Sequence, residues 1–137
     1  MRAIICAGGT GGHIYPALAI LNKIKEMEPD SEFLYIGTTD RMEATIIPEK
    51  KIPFVGIEMK GLDRKHILKN IKVLGCFQKA IQKAKEEIRK FDPDVVLGIG
   101  GYITAPVIYA AAKLGYKTFI HEQNSIPGVS NRFLSHY

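Results

Sequence analysis

The chain has 137 residues, a formal net charge of +5 and 46% hydrophobic residues. This length suits one domain with a sizeable core, and the composition excludes a disordered or low-complexity protein. The two cysteines, Cys6 and Cys76, form no CxxC pair, so we expect free thiols in a reducing cytosol rather than a disulfide or a metal site. Met1 leads directly into an apolar run with no signal-peptide cleavage site, which predicts a cytoplasmic protein.

Strand-like and helix-like segments alternate along the chain. Strands are predicted at 2–6, 33–36, 54–57, 95–97 and 118–120, and helices at 15–27, 43–50, 67–90, 105–114 and from about 127. Within the long helical region, Gly75 marks a bend or a break. This order predicts an α/β fold, a Rossmann-like doubly wound parallel sheet with helices on both faces. In such sheets ligands bind at the carboxyl ends of the strands.

Residues 95–112 carry no charge, which raises the question of a membrane span. A spanning helix needs about 20 mostly apolar residues. Gly98, Gly100, Gly101 and Pro106 interrupt this run. A buried strand, a glycine turn and a helix of small residues are therefore predicted instead.

The positive charge is concentrated between residues 60 and 90, where ten lysines and arginines stand against three acidic residues. A basic patch of this kind indicates an anionic partner, namely a membrane surface, a nucleic acid or a phosphate, unless it is only a solvated helix face. Phe77 is the only Phe, Tyr or Trp within the patch, which disfavours a nucleic-acid binder because single-stranded nucleic acids stack on aromatic rings.

The first candidate site is the loop GGTGGH at residues 8–13, between the first strand and the first helix. Glycines let a ligand approach the backbone, and unpaired N–H groups at a helix start bind phosphates or sugar diphosphates. No Gly-Lys-Ser/Thr follows, Ile14 replaces the third glycine of GxGxxG, and Gly37 and Thr38 stand where a ribose-binding acid is needed. Nucleotide hydrolysis and NAD binding are therefore disfavoured, and no cofactor is predicted. A tight turn that binds no ligand stays an alternative for this loop.

His13 ends this loop and is a candidate general base, because a histidine can exchange a proton near neutral pH. From the residue type alone, a histidine that only hydrogen-bonds the loop is an equal alternative.

Two further loops follow apolar strands. GIGGY at residues 98–102 is a second candidate anion site, unless its glycines only permit close helix–sheet packing. HEQNS at residues 121–125 is dense in hydrogen-bonding groups and indicates a sugar or phosphate contact, or else a plain polar loop. His121 and Glu122 are adjacent, which is not a metal-ligand spacing, so no metal is predicted.

Four segments in this order resemble the N-terminal domain of the MurG family of peptidoglycan glycosyltransferases: GGTGGHIYPALAI at 8–20, GTTDRMEATIIP at 37–48, PDVVLGIGGYITAP at 93–106 and HEQNSIPGVSNRFL at 121–134. The resemblance covers essentially the whole chain. It implies the N-terminal, acceptor-side half of a GT-B glycosyltransferase, whose C-terminal donor-binding domain is absent from residues 1–137. The active site would then lie between the two domains, and this half alone is expected to be inactive.

The resemblance also implies the reaction and its residues. N-acetylglucosamine would pass, with inversion, from UDP-N-acetylglucosamine to the C4 hydroxyl of undecaprenyl-pyrophosphoryl-N-acetylmuramoyl-pentapeptide, without an obligatory metal. The two glycine loops would hold the acceptor diphosphate, and His13 or Glu122 would be the base, with His13 favoured. The substrate-binding residues would be Thr10, Gly11, Gly12, Gly100, Gly101, Tyr102 and Asn124.

Under the same resemblance, the basic segment would face the anionic inner leaflet, placing the protein peripherally on the cytoplasmic side of the membrane. The membrane-facing residues would be Lys65, Ile67, Leu68, Lys69, Ile71 and Lys72. Two other functions remain open: a related GT-B transferase with another lipid acceptor, such as a diacylglycerol glucosyltransferase, and a non-catalytic module that binds a phosphorylated sugar or lipid.

Overall fold

The computed structural model describes residues 1–59, 71–122 and 129–136. Five strands form one parallel sheet, and helices cover both of its faces. The strands are β1 Arg2–Ala7, β2 Glu32–Thr38, β3 Phe54–Ile57, β4 Val95–Gly100 and β5 Lys117–Ile120. The helices are α1 Gly11–Met27, α2 Glu43–Glu49, α3 Ile71–Phe91, α4 Thr104–Lys113 and α5 Val129–Leu134.

The strand order is β3-β2-β1-β4-β5, which confirms the predicted Rossmann-like doubly wound sheet. From β1 the chain builds outward through β2 to β3, then returns to place β4 on the other side of β1. The order therefore reverses between β1 and β4. A reversal of this kind opens a crevice at the carboxyl ends of the two strands, where ligands of such folds bind.

The central strand β1 divides the core into two clusters. Ile4 and Cys6 point to the face covered by α3 and α4, whereas Ile5 and Ala7 point to the face covered by α1 and α2. All four side chains are fully buried. Because both faces of the strand are covered, its sequence is a continuous apolar run rather than an alternating one.

The helices depart from the prediction mainly at their ends. Helix α1 begins at Gly11 and not at residue 15, because the carbonyl of Thr10 accepts from the N–H groups of His13 and Ile14 and closes a first turn in spite of the glycines. Pro16 consequently lies beyond the first turn, where its missing N–H cannot serve the carbonyl of Gly12.

Helix α3 is continuous from Ile71, so the predicted split of the helix at Gly75 is wrong. Gly75 is exposed, and no atom of the described residues lies within 4 Å of the place where its Cβ would be. The chain leaves the helix at Asp92, which has a positive φ of 52° and precedes Pro93. The predicted start of this helix at residue 67 and of the last helix at residue 127 lie outside the described residues.

Strand β4 extends to Gly100, three residues beyond its predicted end, because Gly98 and Gly100 continue the pairing with Cys6 and Ala7. The uncharged stretch 95–112 consists of this strand, a turn and most of α4, which confirms the predicted strand, glycine turn and helix of small residues. Of the helices that the structure describes, none combines the length and the apolar character needed to span a bilayer.

We expect Ile4→Ala to lower the free energy of unfolding by about 2–5 kcal/mol, because it opens a cavity in a fully buried position of the central strand. Met27→Ala, at a side chain that is 72% exposed, is the control and should change it by less than about 0.5 kcal/mol. Urea unfolding monitored by circular dichroism measures both. Equal effects of the two changes would contradict the core described here.

Candidate functional site

The two glycine loops meet at the reversal point between β1 and β4. The N–H of Gly8 donates to the carbonyl of Gly100 over 3.2 Å. Gly101 has a positive φ of 93°, and a Cβ at this position would overlap the carbonyl of Gly8. The glycine at 101 is thus required both by its backbone conformation and by the close approach of the two loops.

The start of α1 is the part of the first loop that is open to an anion. The N–H of Gly8 is bound to Gly100 and that of Gly9 to the carboxylate of Glu43, so these two amides are already used. Among the described residues, the amides of Thr10 and Gly11 have no acceptor. Thr10 does not cap the helix with its side chain, and no acidic residue lies in the first turn. This exposed positive helix end favours a phosphate at Thr10 and Gly11 rather than along the whole loop.

His13 lies in the first turn of α1 and is half-buried. Its Nδ1 is 3.2 Å from the carbonyl oxygen of Gly8. A carbonyl only accepts hydrogen bonds, so Nδ1 carries a proton, and Nε2 is the nitrogen whose lone pair can take one up. The edge of the ring lies over Gly100, where a Cβ would overlap it. The geometry therefore gives His13 a fixed orientation beside both loops.

The second loop also carries Tyr102, whose side chain is 41% exposed at the same edge of the sheet. Gly98 has a different surrounding: a Cβ there would lie 2.9 Å from Cγ1 of Ile108. Close packing of α4 on β4, the alternative considered for this loop, accounts for Gly98, whereas Gly100 and Gly101 make room for His13 and Gly8.

The third loop begins beside β4, because the N–H of His121 donates to the carbonyl of Gly98 over 2.8 Å. The half-buried Glu122 accepts a 3.1 Å hydrogen bond from Nδ2 of Asn131 on α5, and this Nδ2 also donates to the carbonyl of His121 over 3.3 Å. Asn131 is a residue that the sequence analysis missed, although its spacing of three from the buried Leu134 places it on the inner face of the helix. Asn124 lies outside the described residues.

Glu43 is the other missed residue, and it is fully buried beneath the first loop. Its Oε1 accepts from the N–H of Thr38 over 2.8 Å and from the hydroxyl of Thr38 over 2.6 Å, and its Oε2 accepts from the N–H of Gly9 over 3.2 Å. A Cβ at Gly8 or Gly37 would overlap this side chain. The available signal was its spacing of four from Ile47, which puts a carboxylate on the buried face of a short helix.

Burial, and secondarily the charge of Glu43, raises the pKa of the Cys6 thiol well above its ordinary value. Burial also raises the pKa of Tyr35, with smaller contributions from Cys6 and Glu43. Cys6 therefore stays protonated at neutral pH and is not a nucleophile, and the Tyr35 hydroxyl stays a donor, bound to the carbonyl of Ala7 over 3.0 Å. Neither cysteine forms a disulfide, as predicted.

The predicted membrane-facing residues are not placed by the structure. Lys65, Ile67, Leu68 and Lys69 lie outside the described residues, and for Ile71 and Lys72 only the helical backbone is described. Within the described part of the chain, no three His, Cys, Asp or Glu side chains come together as possible metal ligands.

The model of the glycosyltransferase family 28 N-terminal domain matches residues 3–137. A transferase of Bacillus thuringiensis, named UDP-N-acetylglucosamine–N-acetylmuramyl-(pentapeptide) pyrophosphoryl-undecaprenol N-acetylglucosamine transferase 2, is 54% identical over all 137 residues. The chain spans 38% of the length of this relative.

Solved structures agree with these sequence matches. The crystal structure of Acinetobacter baumannii MurG superposes with a TM-score of 0.85 at 30% identity, over 98% of this chain and 38% of that one. A UDP-GlcNAc 2-epimerase from Methanocaldococcus jannaschii reaches a TM-score of 0.66 at 16% identity, over 99% of this chain and 37% of that one, and shows a shared fold alone. The fold matches the N-terminal domains of GT-B transferases, and with the family match to residues 3–137 it follows that this chain belongs to the MurG family.

Proposed function

We propose that residues 1–137 form the acceptor-side half of a transferase that moves N-acetylglucosamine from UDP-N-acetylglucosamine to undecaprenyl-pyrophosphoryl-N-acetylmuramoyl-pentapeptide in peptidoglycan synthesis. The observation that carries the proposal is the meeting of the two glycine loops with His13 at the reversal point of the sheet. The name of the 54% identical relative supports this choice of donor and acceptor.

The proposed reaction is a single inverting displacement. The C4 hydroxyl of the muramoyl sugar attacks C1 of N-acetylglucosamine, the bond from C1 to the diphosphate breaks, and UDP leaves with the bonding electrons. Nε2 of His13 takes the hydroxyl proton, and the product has a β-1,4 linkage. The amides of Thr10 and Gly11 at the positive end of α1 offer charge stabilisation to a substrate diphosphate without any reorganisation.

The remaining proposed contacts surround this centre. Tyr102 and the loop residues Gly12, Gly100 and Gly101 would border the substrates, and Asn124 would contact the donor. Glu122 is the alternative base, because its carboxylate lies on the loop next to β4. We favour His13, since its Nδ1–H bond to Gly8 leaves Nε2 ready to accept a proton.

In a full-length transferase that contains residues 1–137, we expect His13→Ala to lower kcat by about 10²–10⁴-fold, the usual contribution of a general base. Binding of the lipid acceptor should persist, because the ring is proposed to act on the proton and not to hold the substrate. Turnover assays and acceptor-binding isotherms measure the two quantities. The matched comparison is Glu122→Gln. If Glu122→Gln loses turnover while His13→Ala stays active, the base is Glu122 and not His13.

We also expect residues 1–137 alone to show no transfer from UDP-N-acetylglucosamine, because the proposed donor-binding half is not part of them. Incorporation of labelled N-acetylglucosamine into a lipid acceptor measures this, with the full-length transferase as the positive control. Transfer by residues 1–137 alone would contradict the proposed two-domain site.

We propose further that the basic segment holds the protein on the cytoplasmic face of the membrane. The described part of α3 supports this with four exposed cations, Lys79, Lys83, Arg89 and Lys90, of which Lys83 is paired with Glu87. Each Lys or Arg near an anionic bilayer contributes about 1 kcal/mol to binding.

Lys65/Lys69/Lys72→Glu should therefore weaken binding to vesicles containing anionic lipid by at least about 100-fold, the equivalent of three such contributions. Lys25/Lys50/Lys117→Glu makes the same change of net charge at exposed positions elsewhere and should bind nearly as the parent does. Vesicle co-sedimentation measures both. Equal losses in the two variants, or binding that does not depend on anionic lipid, would contradict the proposal.

A further inference from the structure

One peptide unit lies between a buried carboxylate and the imidazole of His13. The N–H of Gly9 donates to Oε2 of Glu43 over 3.2 Å. The carbonyl of the same unit, that of Gly8, accepts from Nδ1 of His13, also over 3.2 Å. None of the described residues has a cis peptide bond, so the Gly8–Gly9 peptide is trans. Its N–H and C=O therefore point in opposite directions and connect the two side chains across one plane.

We propose that Glu43 is a positioning residue that orients His13 through the Gly8–Gly9 peptide. The hydrogen bond from Gly9 to the carboxylate fixes the peptide plane and polarises it, which makes the Gly8 carbonyl a stronger acceptor for Nδ1–H. The proton is thereby kept on Nδ1 and the lone pair on Nε2. The inference rests on the proposed function in one respect, namely that His13 is the base.

The surroundings of Glu43 support this role. The side chain is fully buried, and among the described residues no cationic group forms a salt bridge with it. A carboxylate in such a place is costly unless hydrogen bonds stabilise it, and Thr38 and Gly9 supply three. A residue that only filled the space below the loop would need no hydrogen-bonding carboxyl group.

The surroundings of the Gly8 carbonyl point the same way. A Cβ at Gly101 would overlap this oxygen, and a Cβ at Gly100 would overlap the ring of His13. The second loop therefore leaves room for both partners of the hydrogen bond. Any side chain at these two positions would displace the carbonyl or the imidazole.

Glu43→Gln tests the connection while keeping the size of the side chain. Thr38 donates two hydrogen bonds to Oε1, so the amide oxygen of glutamine should stay on that side. Its NH₂ group would then face the N–H of Gly9, donor against donor. The Gly8–Gly9 peptide would lose the hydrogen bond that fixes its orientation.

In the full-length transferase with ¹⁵N-labelled histidine, we expect the His13 of the parent to be the neutral Nδ1–H tautomer. In Glu43→Gln we expect a mixture with the Nε2–H tautomer. We expect kcat to fall about tenfold, with the KM of both substrates within about twofold of the parent. His13→Gln identifies the resonance by its loss.

The matched control is Thr38→Val, which removes one donor to the same carboxylate but leaves the Gly9 hydrogen bond in place. It should lower the melting temperature without changing the His13 tautomer or kcat. A change of tautomer in this control as large as in Glu43→Gln would reduce the role of Glu43 to general stability and overturn the proposal.

Two other results overturn it as well. The first is an Nε2–H tautomer in the parent, which overturns the proposal whether or not the variants fold. The second is a folded Glu43→Gln protein whose His13 tautomer or kcat is unchanged. Failure of the proposed base is recognised separately, since His13→Ala would then keep its turnover.

Discussion

The contact between the Gly8 carbonyl and Gly101 is the constraint on which the site depends. It lets the bend after β1 and the bend after β4 touch backbone to backbone, and this contact lies where the strand order reverses. His13 can then rest on Gly100 and bind Gly8 at the same time. A single Cβ at position 101 would separate the loops, and with them the helix start and the histidine that the proposed chemistry needs.

Much of the fold could be predicted from the sequence, because the signals are local. The apolar run of β1 and the helical spacing of α1 and α4 indicate elements that the sheet then pairs in parallel. The ends were less predictable, since they depend on tertiary contacts: Gly11 joins α1 through the carbonyl of Thr10, and Gly100 joins β4 by pairing with Ala7. Gly75, which has a poor helix propensity, stays helical within a long amphipathic segment.

The two loops of the candidate site could be named from the sequence, whereas the residues that support them could not. Glycines and a histidine after buried strands mark the strand ends where we propose that ligands bind, so loops 8–13 and 98–102 could be named in advance. Glu43 and Asn131 could not, because each acts through a partner that only the folded chain brings near, Gly9 for one and Glu122 for the other. The structure also reduces the number of backbone amides that the first loop can offer to an anion, since the N–H groups of Gly8 and Gly9 are bound within the protein.

The reversal of the strand order delays the completion of the sheet while the protein is being synthesised. Arg2 and Asp94 are hydrogen-bonded although they are 92 positions apart, so β1 cannot pair with its second neighbour until β4 has left the ribosome. Until then β1, β2 and β3 present an unpaired apolar edge to the cell. Such long-range parallel pairing is slow and exposes nascent chains to aggregation. The crevice is therefore completed late, and chaperone capture of the first half during synthesis is the expected cost of this topology.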